Sequence, residues 1–314
     1  MLTQKIINSG GTVVPLLLEV EGSLFNPSIL IHNSKILVNI RSCQYTLYHS
    51  EKQRFPHSTG PLAYLNPEDD ISLTTKNYLC ELDEDLNIKS YKQIDTYKHD
   101  KKPLWTFVGL EDGRLVCWDD KLYLCGVRRD TTTNGEGRME LSEIVDCAET
   151  SRIRIPAPAP NKSYCEKNWM PVLDNPYTFV KWNNPVEVVH FDGKDTKTVK
   201  INDKPQFSRD LRGGSQLVPY KDGYISIVHE TSLFKNENGS KNGIYRHRVI
   251  QYSKDFDIVS YSEPFSFMNA NIEFCAGLAI RDNDIFISWG FQDNAAFIAR
   301  TNLQLIEELL CNHF

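Results

Sequence analysis

The sequence lacks the long apolar runs, leader features and basic excess that mark several large classes of protein. Its longest apolar runs, such as residues 13–18 with Pro15 inside, are too short to span a bilayer. Residues 1–8 lack the apolar core and the small-residue cleavage site of a signal peptide. The formal net charge is −6 with no basic stripe, which argues against nucleic acid as a partner. These absences predict a cytoplasmic protein with no membrane or nucleic-acid partner.

Cysteine motifs and helical periodicity are also scarce. The chain has eight cysteines, but no two are spaced as Cys-x-x-Cys, and several lie inside apolar strand patterns. We therefore expect buried reduced thiols rather than disulfides or a zinc site, and the pattern predicts no metal and no cofactor. Only residues 303–310 have a pattern that predicts a helix.

What the sequence does contain is a repeated hairpin. A charged turn, a short apolar strand, a tight polar turn and a second apolar strand recur five times. In the first copy, Asn33 suits the left-handed conformation that tight hairpin turns require, and Asp119-Asp120 takes that place in the second copy. The five hairpins are predicted near residues 26–41, 111–129, 167–182, 213–230 and 275–290.

A further strand-like run follows each hairpin, near residues 77–82, 138–144, 186–191, 245–252 and 295–299, and a fourth run lies at 258–265. Three or four antiparallel strands per unit, repeated five times, predict an all-β fold, a five-bladed β-propeller formed by residues 1–314 as one domain. A β-sandwich of irregular hairpins is the alternative, but it does not explain the repeated order. Residues 50–76, with Arg54, His57 and Tyr64, fit no blade and are long enough to cover one mouth of the propeller.

Polar residues are concentrated where the inner strands of such a propeller would meet. The first strand of each blade lines the axis, so the starts of the first strands and the ends of the second strands converge. Acids, bases, amides and aromatics are dense at these positions. They are Asn26, Glu111, Asp112, Arg114, Lys167, Asn168, Trp169, Arg212, Gln216 and Glu273 at the starts, and Arg41, Arg128, Arg129, His229, Glu230 and Asp293 at the ends.

Paired carboxylates beside cations and aromatics suit chemistry at a glycosidic bond. One acid protonates the departing oxygen while a second group activates or positions the nucleophile, and Asp112 with Glu111 is the candidate catalytic pair. Basic residues can hold phosphate by charge-assisted hydrogen bonds, and the candidates are Arg128, Arg129, Lys167 and His229. The remaining candidates are expected to bind the sugar: Asn26, Arg41, Arg114, Asn168, Trp169, Arg212, Gln216, Glu230, Glu273 and Asp293.

Each residue taken alone also fits a structural role. A single Glu-Asp-x-Arg sequence fits a turn with a local salt bridge, and a tryptophan near a strand end fits a core position. His229 is as consistent with a structural role as with a functional one. The hypothesis therefore depends on the whole set converging at the axis.

Several of these segments resemble glycoside hydrolase family 130, which contains mannoside phosphorylases and β-mannosidases. Leu110-Glu111-Asp112-Gly113-Arg114 resembles the family's Glu-Asp-Pro-Arg motif, with glycine in place of proline. Val228-His229-Glu230 resembles the family's Tyr-His-Gly strand end, and Gly290-Phe291-Gln292-Asp293 resembles its Gly-Ala-Ala-Asp segment. Further similarities are at Asn26-Pro27 and at Tyr245-Arg246.

The resemblance implies a five-bladed propeller that acts with inversion. It implies Asp112 as the general acid, Lys167 and His229 as anion contacts, and Asp293 as a sugar contact. The segment Glu166-Lys167-Asn168-Trp169 matches the family's basic Lys-Asp-Arg-Asp stretch only loosely. Together with Gly113, this departure leaves the use of phosphate open.

A second resemblance is to a propeller module associated with bacterial and viral glycosyltransferases. The shared segments are Asn-Pro-Ser, Glu-Asp-x-Arg, Glu-Lys-Asn-Trp-Met-Pro, Arg-Gly-Gly-Ser-Gln-Leu and Phe-x-Ala-Gly-Leu. They begin here at Asn26, Glu111, Glu166, Arg212 and Phe274.

The leading hypothesis is a carbohydrate-active enzyme that cleaves or forms a glycosidic bond with inversion, as mannoside phosphorylases and glycosidases do, acting on an oligosaccharide or glycan. A glycosyltransferase that uses an activated, phosphate-containing sugar donor is the first alternative. A propeller that binds glycans without turnover is the second. In the enzymatic cases, inorganic phosphate or the sugar-phosphate donor would be a substrate, not a cofactor.

Overall fold

The structure is a computed structural model that describes residues 1–46, 63–64, 72–160, 162–202, 206–235, 241–310 and 312–313. It is 58% strand and 6% helix, and five small antiparallel sheets form a five-bladed β-propeller, as predicted. Most of the predicted loop over the mouth, including Arg54 and His57, lies outside the described residues.

The first three blades each contain four strands, which follow one another from the axis to the rim in chain order. The first blade contains Ser23–His32, Lys35–Cys43, Lys76–Leu82 and Ile88–Gln93. The second contains Leu110–Trp118, Lys121–Arg128, Arg138–Val145 and Ala148–Arg154. The third contains Met170–Pro171, Thr178–Asn183, Val186–Phe191 and Thr196–Ile201.

The last two blades depart from this simple order. In the fourth, the short strands Leu211–Arg212 and Val218–Tyr220 both pair with Gly223–Lys235, and the sheet continues through Lys241–Ser253, Ile258–Tyr261 and Asn312–His313. The fifth contains Glu273–Arg281, Asp284–Phe291 and Ala295–Asn302. Its outer strand is Thr12–Leu16, so backbone hydrogen bonds between the two ends of the chain close the ring.

A few small elements lie outside the blades. Two short strand pairs join Tyr45–Thr46 to Ala63–Tyr64 and Leu73–Thr74 to Phe107–Val108. The helices are Leu2–Asn8 and Leu303–Leu309, with a 3₁₀ turn at Tyr97–His99. Within the described ranges, no helix has the length and apolar character needed to cross a membrane. The seven cysteines that the structure describes are free.

The hairpin turns have the geometry that their residues predict. Asn33 and Ser34 have φ of 48° and 61°, and Asp119 and Asp120 have φ of 51° and 59°. Two consecutive positive φ values are typical of the type I′ turn, whose twist matches that of the flanking strands. These turns therefore fix the register of the inner hairpins in the first two blades.

Apolar side chains fill the spaces between neighbouring blades. Trp118 of the second blade packs edge-on against Phe179 of the third, with 5.6 Å between ring centroids. Phe267, from the segment before the fifth blade, stacks on Trp289 at 4.5 Å. All four rings are buried. This packing makes a rigid scaffold that holds the ends of the inner strands in place.

Candidate functional site

Near the start of three inner strands, a polar residue has the left-handed conformation. Asn26, Asp112 and Asn168 have φ of 47°, 50° and 60° in the first, second and third blades. Asn26 and Asp112 both lie within β-bulges of their hairpins. Bulges redirect side chains and often lie beside active sites, where positive φ at a residue other than glycine is also concentrated. The repeated geometry turns three polar side chains toward one end of the axis.

Asp112 is anchored through one of its carboxylate oxygens. Its Oδ1 accepts hydrogen bonds from Arg41 Nη1 and Asn26 Nδ2, both at 2.8 Å. Arg114 Nη1 donates to the backbone oxygen of Asp112 at 2.7 Å. The Asp112 side chain is 18% exposed, so the anchored carboxylate still borders open space.

Arg41 holds both members of the predicted catalytic pair. Besides Asp112, it contacts Glu111 Oε2 through Nη2 at 3.4 Å, and its Nε donates to Thr75 Oγ1 at 3.2 Å. The guanidinium lies 4.8 Å from the centroid of the Phe25 ring. Because the Arg41 side chain is only 3% exposed, its position is set by these contacts and not by solvent.

The surroundings of Asp112 keep it ionised. Burial raises its pKa, but the charge of Arg41, the hydrogen bond from Asn26 and the charge of Arg114 outweigh burial, so the pKa lies below its ordinary value. At neutral pH the ligand-free protein therefore presents a carboxylate that can accept a proton. The same residue can donate that proton in the reverse direction of a reaction.

A basic group of side chains lies near this carboxylate. Burial and the charges of His247, Arg212, Lys167 and Arg114 hold the pKa of His229 well below its ordinary value, so His229 is neutral. For Lys167 and Arg212, the described part of the chain contains no ion-pair partner. These two cations are therefore available to an anion.

Tyr245 connects the acidic and basic groups. Burial and the charges of Asp293 and Asp112 raise the pKa of its phenol, whereas Arg212 lowers it. The Tyr245 ring also stacks on His229, with centroids 5.0 Å apart. Side chains from the first, second, third, fourth and fifth blades therefore share one electrostatic environment, which we call the axial site: Asn26, Arg41, Glu111, Asp112, Arg114, Lys167, Asn168, Arg212, His229, Tyr245 and Asp293.

The axial site contains many polar atoms without a partner. Among the described residues, thirteen buried side-chain nitrogen or oxygen atoms make no hydrogen bond, and six belong to this site. They are Asn26 Oδ1, Glu111 Oε1, Arg114 Nη2, Asn168 Oδ1, Arg212 Nε and His229 Nδ1. Buried polar groups are normally paired, so this concentration favours a polar ligand. No cluster of three or more metal-ligating side chains occurs in the described ranges.

Three residues predicted to bind sugar belong to the core instead. Trp169 is 1% exposed, and its indole nitrogen donates to Glu166 Oε2. Gln216 and Glu273 are fully buried. The Gln216 side chain forms hydrogen bonds with backbone groups of three other blades. The Glu273 carboxylate accepts hydrogen bonds from the backbone nitrogens of Phe267, Met268 and Ala270. The structure thus places these three side chains in the core, where they satisfy buried polar groups.

The predicted phosphate contacts Arg128 and Arg129 are engaged elsewhere. Arg128 is buried between Glu140 at 2.7 Å and Asp130 at 3.3 Å, so its charge is neutralised. Arg129 lies 4.9 Å from the centroid of the Phe107 ring, and its Nε donates to the backbone oxygen of Gly135. Glu230, a predicted sugar contact, is buried and pairs with Arg248 at 3.4 Å.

Sequence reasoning missed Tyr245 and Phe274 as parts of the site. Tyr245 lies on the third strand of its blade, whereas the site residues were predicted at the ends of the first two strands. Phe274 packs edge-on against His229, with 5.1 Å between the ring centroids. The Arg114 guanidinium lies over the Phe274 ring, 5.5 Å from its centroid. The sequence feature that could have identified Phe274 is its position in the Phe-x-Ala-Gly-Leu segment.

The glycine that follows Asp112 has a steric cause. A Cβ atom at Gly113 would lie 2.5 Å from Leu124 Cγ on the neighbouring strand. Any other residue, proline included, would therefore displace Leu124. Gly290 of the fifth blade is similarly close to Asn26, where a Cβ atom would overlap Oδ1. These two glycines allow the close approach that positions Asp112 and Asn26.

His247, which lies behind His229, makes stability depend on pH. Burial and the nearby Arg246 lower its pKa from 6.5 to about 3. The unfolded chain binds a proton below pH 6.5 that the folded chain does not, so stability is full above this pH and falls as the pH drops. We expect the titration of His247 to lower the free energy of unfolding by about 2 kcal/mol between pH 7 and pH 5. Urea unfolding of wild type and His247→Gln at both pH values measures this, and equal pH dependence in the two proteins would contradict it.

Comparison with known proteins shows similarity of fold. No protein-family model and no curated protein matches the sequence. The structure resembles a β-1,2-mannobiose phosphorylase from Listeria innocua, with a TM-score of 0.56, 11% identity, and coverage of 95% of this chain and 96% of that one.

Two further similar structures represent other reactions. One is from the glycoside hydrolase family 130 of mannoside phosphorylases, which contains hydrolases that target β-1,2-mannosidic linkages in Candida mannan. It has a TM-score of 0.62 and 11% identity, and the match covers 90% of this chain and 85% of that one. The other is a GDP-Man-dependent mannosyltransferase from Leishmania mexicana, with a TM-score of 0.52, 13% identity, and coverage of 95% and 93%. The chain thus has the propeller fold found in phosphorylases, hydrolases and a transferase that act on mannose.

Proposed function

We propose that the axial site catalyses inverting transfer of a sugar between a phosphate-bearing donor and a hydroxyl group of an acceptor glycan. One observation carries the proposal: an ionised carboxylate, Asp112, lies in the same site as two cations without an ion pair, Lys167 and Arg212. Transfer from a sugar phosphate needs a base for the incoming hydroxyl and positive charge for the departing phosphate.

In the forward direction, Asp112 accepts the proton of the acceptor hydroxyl as that oxygen bonds to the anomeric carbon of the donor. The bond from the anomeric carbon to the phosphate oxygen breaks, and its electron pair leaves with the phosphate. Lys167 and Arg212 stabilise that anion, and neutral His229 can offer it a hydrogen bond. In the reverse direction, phosphate attacks the anomeric carbon and protonated Asp112 gives its proton to the departing sugar.

Mannose is the sugar we expect. The phosphorylase and the transferase with the same fold act on mannose compounds, and one of them uses a phosphate-activated donor. Side chains around the pocket suit hydroxyl groups, since the unpartnered atoms of Asn26, Asn168 and Glu111 are acceptors for a sugar's O–H donors.

A direct assay tests the proposal. Purified protein is incubated with α- or β-mannose 1-phosphate or GDP-mannose, with mannose and mannobiose as acceptors. Separate reactions contain β-1,2-mannobiose with and without phosphate. We expect new glycan together with released phosphate or nucleotide from at least one donor, or mannobiose cleavage that requires phosphate. Cleavage independent of phosphate would indicate a hydrolase, and binding without turnover of any substrate would indicate a glycan-binding propeller. Either result would overturn the proposal.

A further inference from the structure

A cavity lies between the first and second blades, outside the axial site. Its volume is about 720 Å³, and all of its lining residues belong to the described part of the chain. Small-molecule sites typically measure about 300 to 1,000 Å³. None of the basic residues assigned to the anion in the axial site lines it, so it is a separate feature.

The walls of this interblade cavity carry more positive than negative charge. The cations are Lys76, Lys101, Lys102, Arg128, Arg152 and Arg154, against the carboxylates Asp100, Asp130 and Glu140. The whole chain, in contrast, has a net charge of −6. Local excess of one sign in a concave, partly buried wall attracts ligands of the opposite sign.

Some of these lining groups are available, whereas others are neutralised. Arg128 and Arg154 share buried Glu140, and Arg152 pairs with Asp100 at 3.0 Å. Lys101 and Lys102 are exposed and have no ion pair within the described ranges. His99 Nε2, also on the cavity wall, is buried without a hydrogen-bond partner. The two free ammonium groups point to an anionic ligand, and the unsatisfied ring nitrogen points to a ligand with polar groups.

The remaining polar lining suits a polyol. Hydroxyl side chains of Thr74, Thr75, Thr96, Thr131 and Ser142 border the space, and no phenylalanine, tyrosine or tryptophan ring does. Hydroxyl groups can both donate to and accept from sugar hydroxyls, whereas a nucleobase would normally stack on a ring. We infer that the interblade cavity binds an acidic sugar, a monosaccharide or disaccharide that carries a phosphate or carboxylate group.

The cavity borders the axial site at Thr75. Thr75 lines the cavity, and its Oγ1 accepts the hydrogen bond from Arg41 Nε, while Arg41 holds Asp112. The acidic sugar would therefore lie next to the residue that orients the axial carboxylate. The inference does not depend on the proposed reaction.

Calorimetric titration of the whole protein tests the inference. The probes are mannose 6-phosphate, glucuronate and uncharged mannose. We expect saturable binding of at least one acidic sugar, and the double variant Lys101→Ala/Lys102→Ala should weaken it about tenfold or more, because each replacement removes a charge-assisted contact. The exposed pair Lys92→Ala/Lys98→Ala makes the same charge change outside the cavity and should bind like wild type.

The variant Lys167→Ala separates the two sites. Acidic-sugar binding that survives this change, but not the loss of Lys101 and Lys102, supports the interblade site. Comparison of mannose 6-phosphate with glucuronate identifies which acidic group is preferred. Three results would overturn the inference. Mannose could bind as tightly as both acidic sugars, acidic-sugar binding could be lost only in Lys167→Ala, or neither acidic sugar could bind.

Discussion

Asp112→Asn is expected to lower kcat for sugar transfer about 10³-fold, the loss typical of removing a positioned proton carrier. Asparagine has nearly the same shape, and its oxygen can still accept from Arg41 and Asn26, which donate to Oδ1 in the wild type. Folding and sugar binding should therefore be largely kept while proton transfer is lost. Steady-state kinetics with the best donor and acceptor of the assay above measure the effect.

A matched control isolates the role of the Asp112 charge. Asp120→Asn removes one carboxylate from an exposed turn of the same hairpin, where φ is also positive, and should leave kcat unchanged. Wild-type kcat in Asp112→Asn would show that another group carries the proton, with Glu111 as the first candidate. A rise in KM with unchanged kcat would indicate that Asp112 only binds substrate.

Gln216→Leu is expected to reduce the free energy of unfolding by about 4 kcal/mol, the largest stability effect that the structure suggests. The Gln216 amide nitrogen donates to the backbone oxygens of Ile29 and Leu115, and its oxygen accepts from the backbone nitrogen of Leu278. Leucine fills a similar volume but leaves two carbonyl groups and one N–H group buried without partners, each costing about 1–3 kcal/mol.

Urea unfolding of wild type, Gln216→Leu and the exposed control Gln304→Leu provides the comparison. The control should change stability by about 0.5 kcal/mol or less, as surface substitutions usually do. Gln216 belongs to the fourth blade and forms hydrogen bonds with the first, second and fifth blades. Its loss should therefore lower both the midpoint and the cooperativity of the urea unfolding transition. A change as small as that of the control would mean that this axial amide does not hold the blades together.

Much of the fold could be predicted because local patterns repeat. The turn at Asn33 and the third strand Val186–Phe191 follow from residue type and alternation alone. The outer strand Thr12–Leu16 could not be assigned to the fifth blade, because its partner lies almost 290 residues away, at Ala296–Arg300. The helix Leu2–Asn8 was also missed. It is short, and tertiary contacts such as the burial of Ile6 stabilise it rather than its own pattern.

The site could be predicted only in part. The position of a residue at the start or end of an inner strand places Asp112 and Arg41 near the axis, but it does not tell whether a polar side chain faces open space or buried backbone groups. Gln216 and Glu273 face backbone groups, and Arg128 is neutralised by Glu140 on the next strand. The bonds of Gln216 run to other blades, and the pairing of Arg128 depends on the register of the next strand in its own blade, so the alternation of a single strand contains neither.

The central claim is that one end of the propeller axis binds a sugar and a phosphate together. A crystal structure of the protein soaked with mannose 1-phosphate tests it most directly. We predict density for the phosphate beside Lys167 and Arg212, with the sugar between this group and Asp112. Density elsewhere on the protein with the axial site empty, or a phosphate group bound away from both cations, would contradict the account.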